Sequence, residues 1–201
     1  MDRRLIAVIG AGVVLVAATL IVVFFAIIPV PEFEPLQAGE QRGLVAYIAE
    51  DEGHPVRIVD LESMARVTAD LPGDVSLVGW QGNGTLIVAD WRSPERQLLI
   101  DPHTGQQVGS VDSEAPESRQ TRVFPERNNG DMVLTHPTSR DSVRLVAPES
   151  YDIRDAVTLG EDRIVFVDEL GRVAVTYVGE DEEAKLVAED AAEWAEVVAR
   201  P

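Results

Sequence analysis

The sequence predicts a mainly β protein with one N-terminal transmembrane helix, followed by a stack of about four antiparallel sheets. Three observations support this fold class: an uncharged apolar run near the N-terminus, four later segments that each begin an unbroken apolar strand, and a second short strand after each of them. Few segments after the first run have the length and period of a crossover helix. We therefore expect sheets that pack on other sheets.

The N-terminal apolar run extends from Leu5 to Ile28, with Phe24 and Phe25 among its membrane-anchoring side chains. Its 24 residues carry no charge, and at about 1.5 Å per residue they can cross a hydrocarbon core of roughly 30 Å. Two arginines precede the run and acidic residues follow it, so the positive-inside rule places residues 1–4 in the cytoplasm. The sequence therefore predicts a single-pass signal anchor in the plasma membrane, with an extracytoplasmic C-terminal domain.

A cleaved signal peptide is the alternative for this run. Its apolar region usually has about 7–15 residues and ends at a small-x-small site, whereas this run is longer and has no convincing site after it. Residues 29–42 then form a Pro- and Glu-rich stalk. Its three prolines favour an extended conformation that holds the following domain away from the bilayer.

The composition excludes several functions. The chain has a formal charge of −18, so it repels phosphate backbones and is not expected to bind nucleic acid. It has no cysteine, which excludes disulfides, thiolate metal sites, cysteine nucleophiles and a bacterial lipoprotein. Lys185 is the only lysine among 17 basic residues, a bias that indicates a GC-rich bacterial genome.

Residues 43–189 contain a repeated pattern. Four segments begin with Gly or Asp followed by an apolar run: GLVAYIA from Gly43, GTLIVAD from Gly84, GDMVLTH from Gly130 and DRIVFVD from Asp162. A polar loop and a second short strand follow each run, and three units have a third alternating stretch. The segments DVSLVGW and TRVFPE, which lie between units, would each supply a fourth strand. The stretch from Pro148 to Glu161 is too short for two full strands and their turns, so we expect the third or the fourth unit to be incomplete. Strands that are apolar at every position must be covered on both faces, and sheets stacked face to face provide that cover.

This pattern resembles the blades of a β-propeller of the WD-like or TolB-like kind, in which one four-stranded sheet packs on the next. The resemblance covers about Gly43 to Glu189, and its best local match is the turn from Asp101 to Gly105. The Gly-His and Trp-Asp signatures of WD repeats are absent, and the unit starts lie 41, 46 and 32 residues apart. A small or incomplete propeller, a fragment closed by a partner and an irregular β-sandwich all stay open.

The C-terminal tail, residues 190–201, fits either a helix or a closing strand. As a helix it would be capped by Asp190 and carry Trp194, Val197 and Val198 on one face. As a strand it would pair with the first unit, which lacks a preceding fourth strand. The Ala and Glu content favours the helix.

The candidate site follows from the repeat. In a propeller, the loops between the first and second strands of these units share one rim, and here those loops hold His54, Trp91, Arg92, His136 and Asp168. These five residues form the candidate ligand- or partner-binding set. The sequence has neither a nucleophile elbow nor a His-Glu-x-x-His motif, so we predict no catalytic residue, no metal site and no cofactor.

These observations favour a non-enzymatic, membrane-anchored extracytoplasmic interaction module, as an accessory subunit of a larger membrane complex. Its expected partners are the lipid bilayer, through residues 5–28, and other membrane or extracytoplasmic proteins. A ligand- or sugar-sensing propeller is the first alternative, and it would use an aromatic-lined pocket. A propeller-type hydrolase or lyase is the second.

Overall fold

The computed structural model describes residues 29–69, 71, 75–112, 121–179 and 183–201. This part of the chain contains sixteen strands and no helix. Their bounds are β1 (Glu34–Pro35), β2 (Leu44–Ile48), β3 (Val56–Asp60), β4 (Arg66–Ala69), β5 (Val75–Trp80), β6 (Leu86–Asp90), β7 (Ser93–Ile100), β8 (Gln107–Asp112), β9 (Glu126–Asn128), β10 (Asp131–Thr135), β11 (Ser142–Leu145), β12 (Ile153–Thr158), β13 (Arg163–Asp168), β14 (Val173–Tyr177), β15 (Lys185–Ala188) and β16 (Val197–Arg200).

The strands form four sheets that follow one another along the chain. Sheet I has the order β16-β2-β3-β4, sheet II β5-β6-β7-β8, sheet III β9-β10-β11 and sheet IV β12-β13-β14-β15-β1. All pairings are antiparallel except that of β1 with β15. Successive antiparallel sheets, with the last strand completing the first sheet, make a β-propeller-like arrangement.

The unbroken apolar runs lie where both faces of a sheet are covered, as predicted. In β13, Val165 and Val167 pack into the larger apolar cluster with sheets I and II, while Ile164 and Phe166 face the smaller cluster with sheet III. All four side chains are fully buried. Strand β10 differs, because only alternate residues along it are buried.

Of the two predicted fourth strands, one is complete and the other is not. The segment before the second unit forms β5, a full strand of sheet II. The segment before the third unit gives only the short β9 and a single bridge between Arg122 and Val157. In the described residues sheet III therefore has three strands, in agreement with the expectation that one unit is incomplete.

The C-terminal tail is a strand, so the expectation of a short C-terminal helix is wrong. Strand β16 pairs antiparallel with β2, with Val197 opposite Tyr47 and Arg200 opposite Leu44. It also contacts β5, β12 and β13. Val197, Val198 and Ala199 are buried. The unpaired edge of β2 and the burial available on both faces outweigh the helix propensity of the preceding Ala- and Glu-rich stretch.

The membrane-related predictions need correction. Along the stretches that the structure describes, no helix has the length and apolar character needed to span a bilayer. The predicted transmembrane helix from Leu5 to Ile28, with Phe24 and Phe25, lies outside the described residues. The fold class with a transmembrane helix, the signal anchor, the lipid-bilayer partner and the plasma-membrane localisation are therefore not retained, and the described chain is a β domain.

Part of the predicted stalk packs against sheet IV. Strand β1 runs parallel to β15, and the N–H of Leu36 donates to the carbonyl of Leu186 at 2.8 Å. The Phe33 ring meets the Phe166 ring edge-on, with 5.7 Å between centroids. Residues 33–36 therefore extend the β domain on its N-terminal side.

The burial of β16 leads to a stability prediction. Val198→Ala should lower the free energy of unfolding by about 2–3 kcal/mol, because it removes buried methyl groups and leaves a cavity. Val146→Ala is the matched control, since Val146 is 64% exposed and its loss should change stability by no more than about 0.5 kcal/mol. Urea unfolding measures both variants, and equal losses would contradict the closing role of β16.

Candidate binding surface

The sheet stack has two ends, which β16 connects. Before β16 begins, residues 189–196 cross one end, where the N–H of Ala192 donates to Ile48 and the N–H of Ala191 to Gly171. We call this the Trp194 end. The other end contains Arg200, whose guanidinium donates to the carbonyl of Gly82 at 3.4 Å. We call this the Arg200 end.

A cleft at the Trp194 end lies between sheets I and II. It has a volume of about 420 Å³ and is lined by Val75, Ser76, Trp91, Trp194 and Glu196. Trp91 is 66% exposed and Trp194 is 47% exposed. Such exposure is unusual for large apolar side chains, because tryptophan is highly buried on average. We call it the Trp91 cleft.

Glu196 is held in the Trp91 cleft by the backbone of the neighbouring sheet. One of its carboxylate oxygens accepts a hydrogen bond from the N–H of Leu77 at 2.9 Å. This bond joins the segment before β16 to β5, so it fixes both the carboxylate and the approach of sheet II. A carboxylate accepts more than one hydrogen bond, so acceptor positions remain for a ligand.

A second cleft lies on the other side of Trp194. It has a volume of about 590 Å³, and its lining comes from residues 122–125, 154–155 and 193–196. Phe124 at its edge is 79% exposed. The Asp155 carboxylate forms an ion pair with Arg122 and also accepts the N–H of Val197. We call this the Phe124 cleft.

The His54 ring packs against the indole of Trp194. The two rings meet edge-on with centroids 5.2 Å apart, and His54 is half-buried with a positive φ of 46°. Its Nδ1 is buried and has no hydrogen-bond partner among the described residues. The contact therefore positions the indole through packing.

Trp91 and Arg92 occupy the turn between β6 and β7 at the same end. The Arg92 N–H donates to the Asp90 carboxylate at 2.8 Å, which shapes the turn. Both side chains are exposed. Trp91 thus faces the cleft while its backbone neighbours are held by a local Asx turn.

Asp168 is fully buried, and its carboxylate is hydrogen-bonded within the domain. Its carboxylate accepts hydrogen bonds from the N–H groups of Leu170 and Arg172, from Nε of Arg172 at 2.7 Å and from the Tyr151 hydroxyl at 3.2 Å. Arg172 also lies 4.6 Å from the Phe33 ring centroid and donates to the carbonyl of Pro31. The carboxylate thereby ties the β13–β14 turn to the N-terminal segment and is not presented to a ligand.

His136 lies at the Arg200 end, apart from the other predicted residues. It is buried, its Nε2 is 3.3 Å from the carbonyl of Gly160, and its Nδ1 accepts from the N–H groups of Thr138 and Ser139. The segment around Arg122 runs antiparallel to β12, and the chain then reverses through β9 and β10. Strand β10 therefore ends near Gly160, which follows the C-terminal end of β12. This reversal separates the β10–β11 turn from the loops that hold His54 and Trp91.

The turn from Asp101 to Gly105 has the structure that the sequence predicts. The Asp101 carboxylate accepts the N–H groups of His103 and Thr104, and Gly105 has a φ of 71°. A Cβ at Gly105 would lie 2.5 Å from the carbonyl oxygen of Thr68, so the position requires glycine. His103 is exposed at the Arg200 end.

The surface at the Trp194 end includes residues that the sequence pattern did not select. The sequence pattern predicts Trp194 on one face of a tail helix, and it selects neither Glu196 nor Phe124. A lone tryptophan in a tail rich in charged residues is a sequence signal that could have identified Trp194. Glu196 and Phe124 gave no local signal, because their positions depend on contacts between segments more than 65 residues apart.

The comparisons with known proteins carry no argument about the function of this chain. No family model matches the chain, and no curated protein matches it. Among solved structures, the chain is similar to the β-propeller domain of Cps50 (Swd1) from Myceliophteria thermophila, at 17% identity and a TM-score of 0.24. The match covers 71% of this chain and 54% of that one, so this chain spans about half the length of its structural neighbour.

The fold class of this protein is therefore assigned from the order of its own sheets. Sheets I to IV follow one another along the chain, and β16 completes the first of them. The described chain is a β-propeller-like domain with an exposed aromatic surface at the Trp194 end. At a TM-score of 0.24 the structural neighbour adds no argument about what this surface binds.

The buried carboxylate leads to a second stability prediction. Asp168→Asn should cost about 3–5 kcal/mol of unfolding free energy, because Arg172 then keeps its charge in a buried position without its partner. Asp162→Asn is the control: it removes an ion pair to Arg163 whose acidic partner is 64% exposed, and it should cost less than about 1 kcal/mol. Denaturant unfolding of both variants measures the difference, and similar losses would contradict the structural role of Asp168.

Tyr151 leads to a prediction about alkaline pH. Burial raises the pKa of its phenol, and the nearby Asp168 carboxylate raises it further. Between the unfolded pKa of about 10 and the higher folded pKa, the folded state retains a proton that the unfolded state has lost. Stability is therefore full below about pH 10 and falls as the pH rises above it.

Tyr151→Phe should reduce the steepness of this fall, because the variant has no phenol proton to lose at this position. Burial also raises the pKa of Tyr47, so part of the decline should persist in the variant. Urea unfolding at a series of pH values above about 9 compares the two slopes. Identical slopes would show that Tyr151 ionises alike in the folded and unfolded chains.

Proposed function

We propose that this domain is a non-enzymatic protein-interaction module, acting as an accessory subunit of a larger complex, and that it binds its partner through the Trp194 end. The observation that supports the proposal is the exposure of three large aromatic side chains, Trp91, Trp194 and Phe124, around two clefts that share Trp194. Tryptophan is among the residues most enriched at the energetic centres of protein interfaces. Aromatic side chains supply large contact areas at low entropy cost.

The rigidity of the surface supports the same function. Residues 189–196 are held by backbone hydrogen bonds to sheets I and IV, and Glu196 bonds to sheet II. Trp194 is also packed against His54. A preorganised surface loses less conformational entropy when a partner binds, so more of the contact energy is available as affinity.

Site-specific cross-linking in native cells tests this function. We expect Phe124→p-benzoylphenylalanine in the full chain to cross-link to one protein that also co-purifies in stoichiometric amount. The same amino acid at Val108, which is 60% exposed at the Arg200 end, should not cross-link to that protein. Adding Trp194→Ala to the Phe124 variant should reduce the cross-link at least about tenfold, since a central aromatic contact is worth about 2 kcal/mol or more.

Two results would overturn the proposal. One is a chain that stays free of any stoichiometric partner and gives no cross-link at position 124. The other is a cross-link that Trp194→Ala leaves unchanged while the circular dichroism of the variant matches that of the parent. Either result would show that the aromatic surface is not the binding surface.

A sugar-binding function is the second candidate, and one observation favours it. Two tryptophans, a serine hydroxyl and a carboxylate line the Trp91 cleft, and such a set can stack on a sugar ring and bond its hydroxyls. Binding of the purified chain to a glycan array that Trp91→Ala abolishes, without a Trp194-dependent cross-link, would favour this function. The hydrolase or lyase alternative stays a prediction; in the part of the chain that the structure describes, no group of three or more potential ligands could hold a metal ion.

A further inference from the structure

We propose that the Trp91 cleft binds an arginine side chain of the partner protein. This inference rests on the proposed interaction function and adds the chemistry that the partner must present. It is based on three features that occur together: two exposed indoles, a carboxylate that accepts a backbone hydrogen bond, and a lining that contains no cationic side chain among the residues that the structure describes.

The indoles provide the first part of the site. The face of a tryptophan ring attracts a cation more strongly than any other aromatic side chain, at distances within about 6 Å of the ring centroid. Trp91 and Trp194 belong to different segments of the chain, yet both line one cleft of about 420 Å³. A side chain that enters this cleft can therefore contact both aromatic groups.

Glu196 provides the second part of the site. Its carboxylate is half-buried, accepts the Leu77 N–H and lies on the wall of the same cleft. Among the described residues it forms no ion pair. A cation from a partner can therefore meet a positioned negative charge that the chain itself does not neutralise.

The neighbouring cleft shows the contrast. The Phe124 cleft also contains carboxylates, but Arg122 and Arg154 lie in the same lining, and Arg122 is paired with Asp155. The Asp155 carboxylate is thus paired within the chain, whereas the Glu196 carboxylate, which lines both clefts, forms no ion pair among the described residues. The Trp91 cleft lacks such cations in the described lining, so it is the cleft at the Trp194 end whose charge is left for a partner.

The combination of groups favours arginine over other cations. A guanidinium is planar and weakly hydrated, stacks on aromatic faces and can donate two parallel hydrogen bonds to one carboxylate. A lysine ammonium is compact and strongly hydrated, so it loses more solvation in an aromatic cleft. A fully methylated ammonium has no N–H to donate to Glu196. The net charge of −18 further attracts a basic partner over long range.

Titration of the full chain with small probes tests the inference. The probe is Nα-acetyl-arginine amide, with the lysine and citrulline amides as controls, and the readout is the chemical shift of the tryptophan indole N–H groups. We expect saturable shifts with arginine, binding several-fold weaker with lysine, and none with citrulline, which has nearly the shape of arginine but no charge. The Trp91→Phe variant identifies the resonance of Trp91.

The Glu196→Gln variant tests the carboxylate separately. A glutamine oxygen can still accept the Leu77 N–H, so the backbone contact is retained while the charge is removed. We expect arginine amide to bind at least about tenfold more weakly, since hydrogen bonds to charged groups contribute about 1.5–3 kcal/mol. Glu193→Gln is the matched control: Glu193 lines the Phe124 cleft and not the Trp91 cleft, so binding should be unchanged.

The outcomes distinguish this inference from the function on which it rests. If citrulline binds as well as arginine, if lysine binds equally well, or if Glu196→Gln binds arginine as the parent does, the arginine site is overturned. A Trp194-dependent cross-link would leave the interaction function standing in that case. If arginine amide binds as expected but no such cross-link forms, the cleft chemistry holds and the protein-interaction function fails.

Discussion

The pairing of β16 with β2 is the contact on which the rest of the described structure depends. It brings the last described strand into sheet I and gives β2 a partner on the edge that β3 leaves open. The same strand contacts β5 of sheet II and β12 and β13 of sheet IV. Four residues at the C-terminus therefore connect three sheets, and the larger apolar cluster draws on all three of them.

The position of β16 also determines the Trp194 end. Residues 189–196 must cross the sheet stack to reach β16, and backbone bonds to Ile48 and Gly171 fix the path. That path places Trp194 beside His54 and Glu196 beside β5, and it creates a cleft on each side of the indole. The binding surface is thus a consequence of how the chain closes.

Residues in the equivalent loops of different units have different roles, because their surroundings differ in burial. Asp168 and His136 are buried, and their hydrogen bonds are to neighbouring turns of the domain. Trp91 lies in an equivalent loop, yet its side chain is exposed. Burying an unpaired carboxylate or ring nitrogen is costly, so the first two side chains are satisfied internally. No such cost applies to an exposed indole, which is left available for a partner.

The sequence by itself determined the β class, the four apolar runs and the turn at Asp101, because strand periodicity, two-faced burial and turn chemistry are local properties. It also predicted that one repeat is incomplete. Only the tertiary structure decided that the tail is a strand, that His136 lies at the opposite end from Trp91, and that Glu196 and Trp194 share a cleft with Trp91. The physical reason is that pairing of a strand with a distant edge, and burial between sheets, depend on residues far apart in sequence, which a local pattern does not encode.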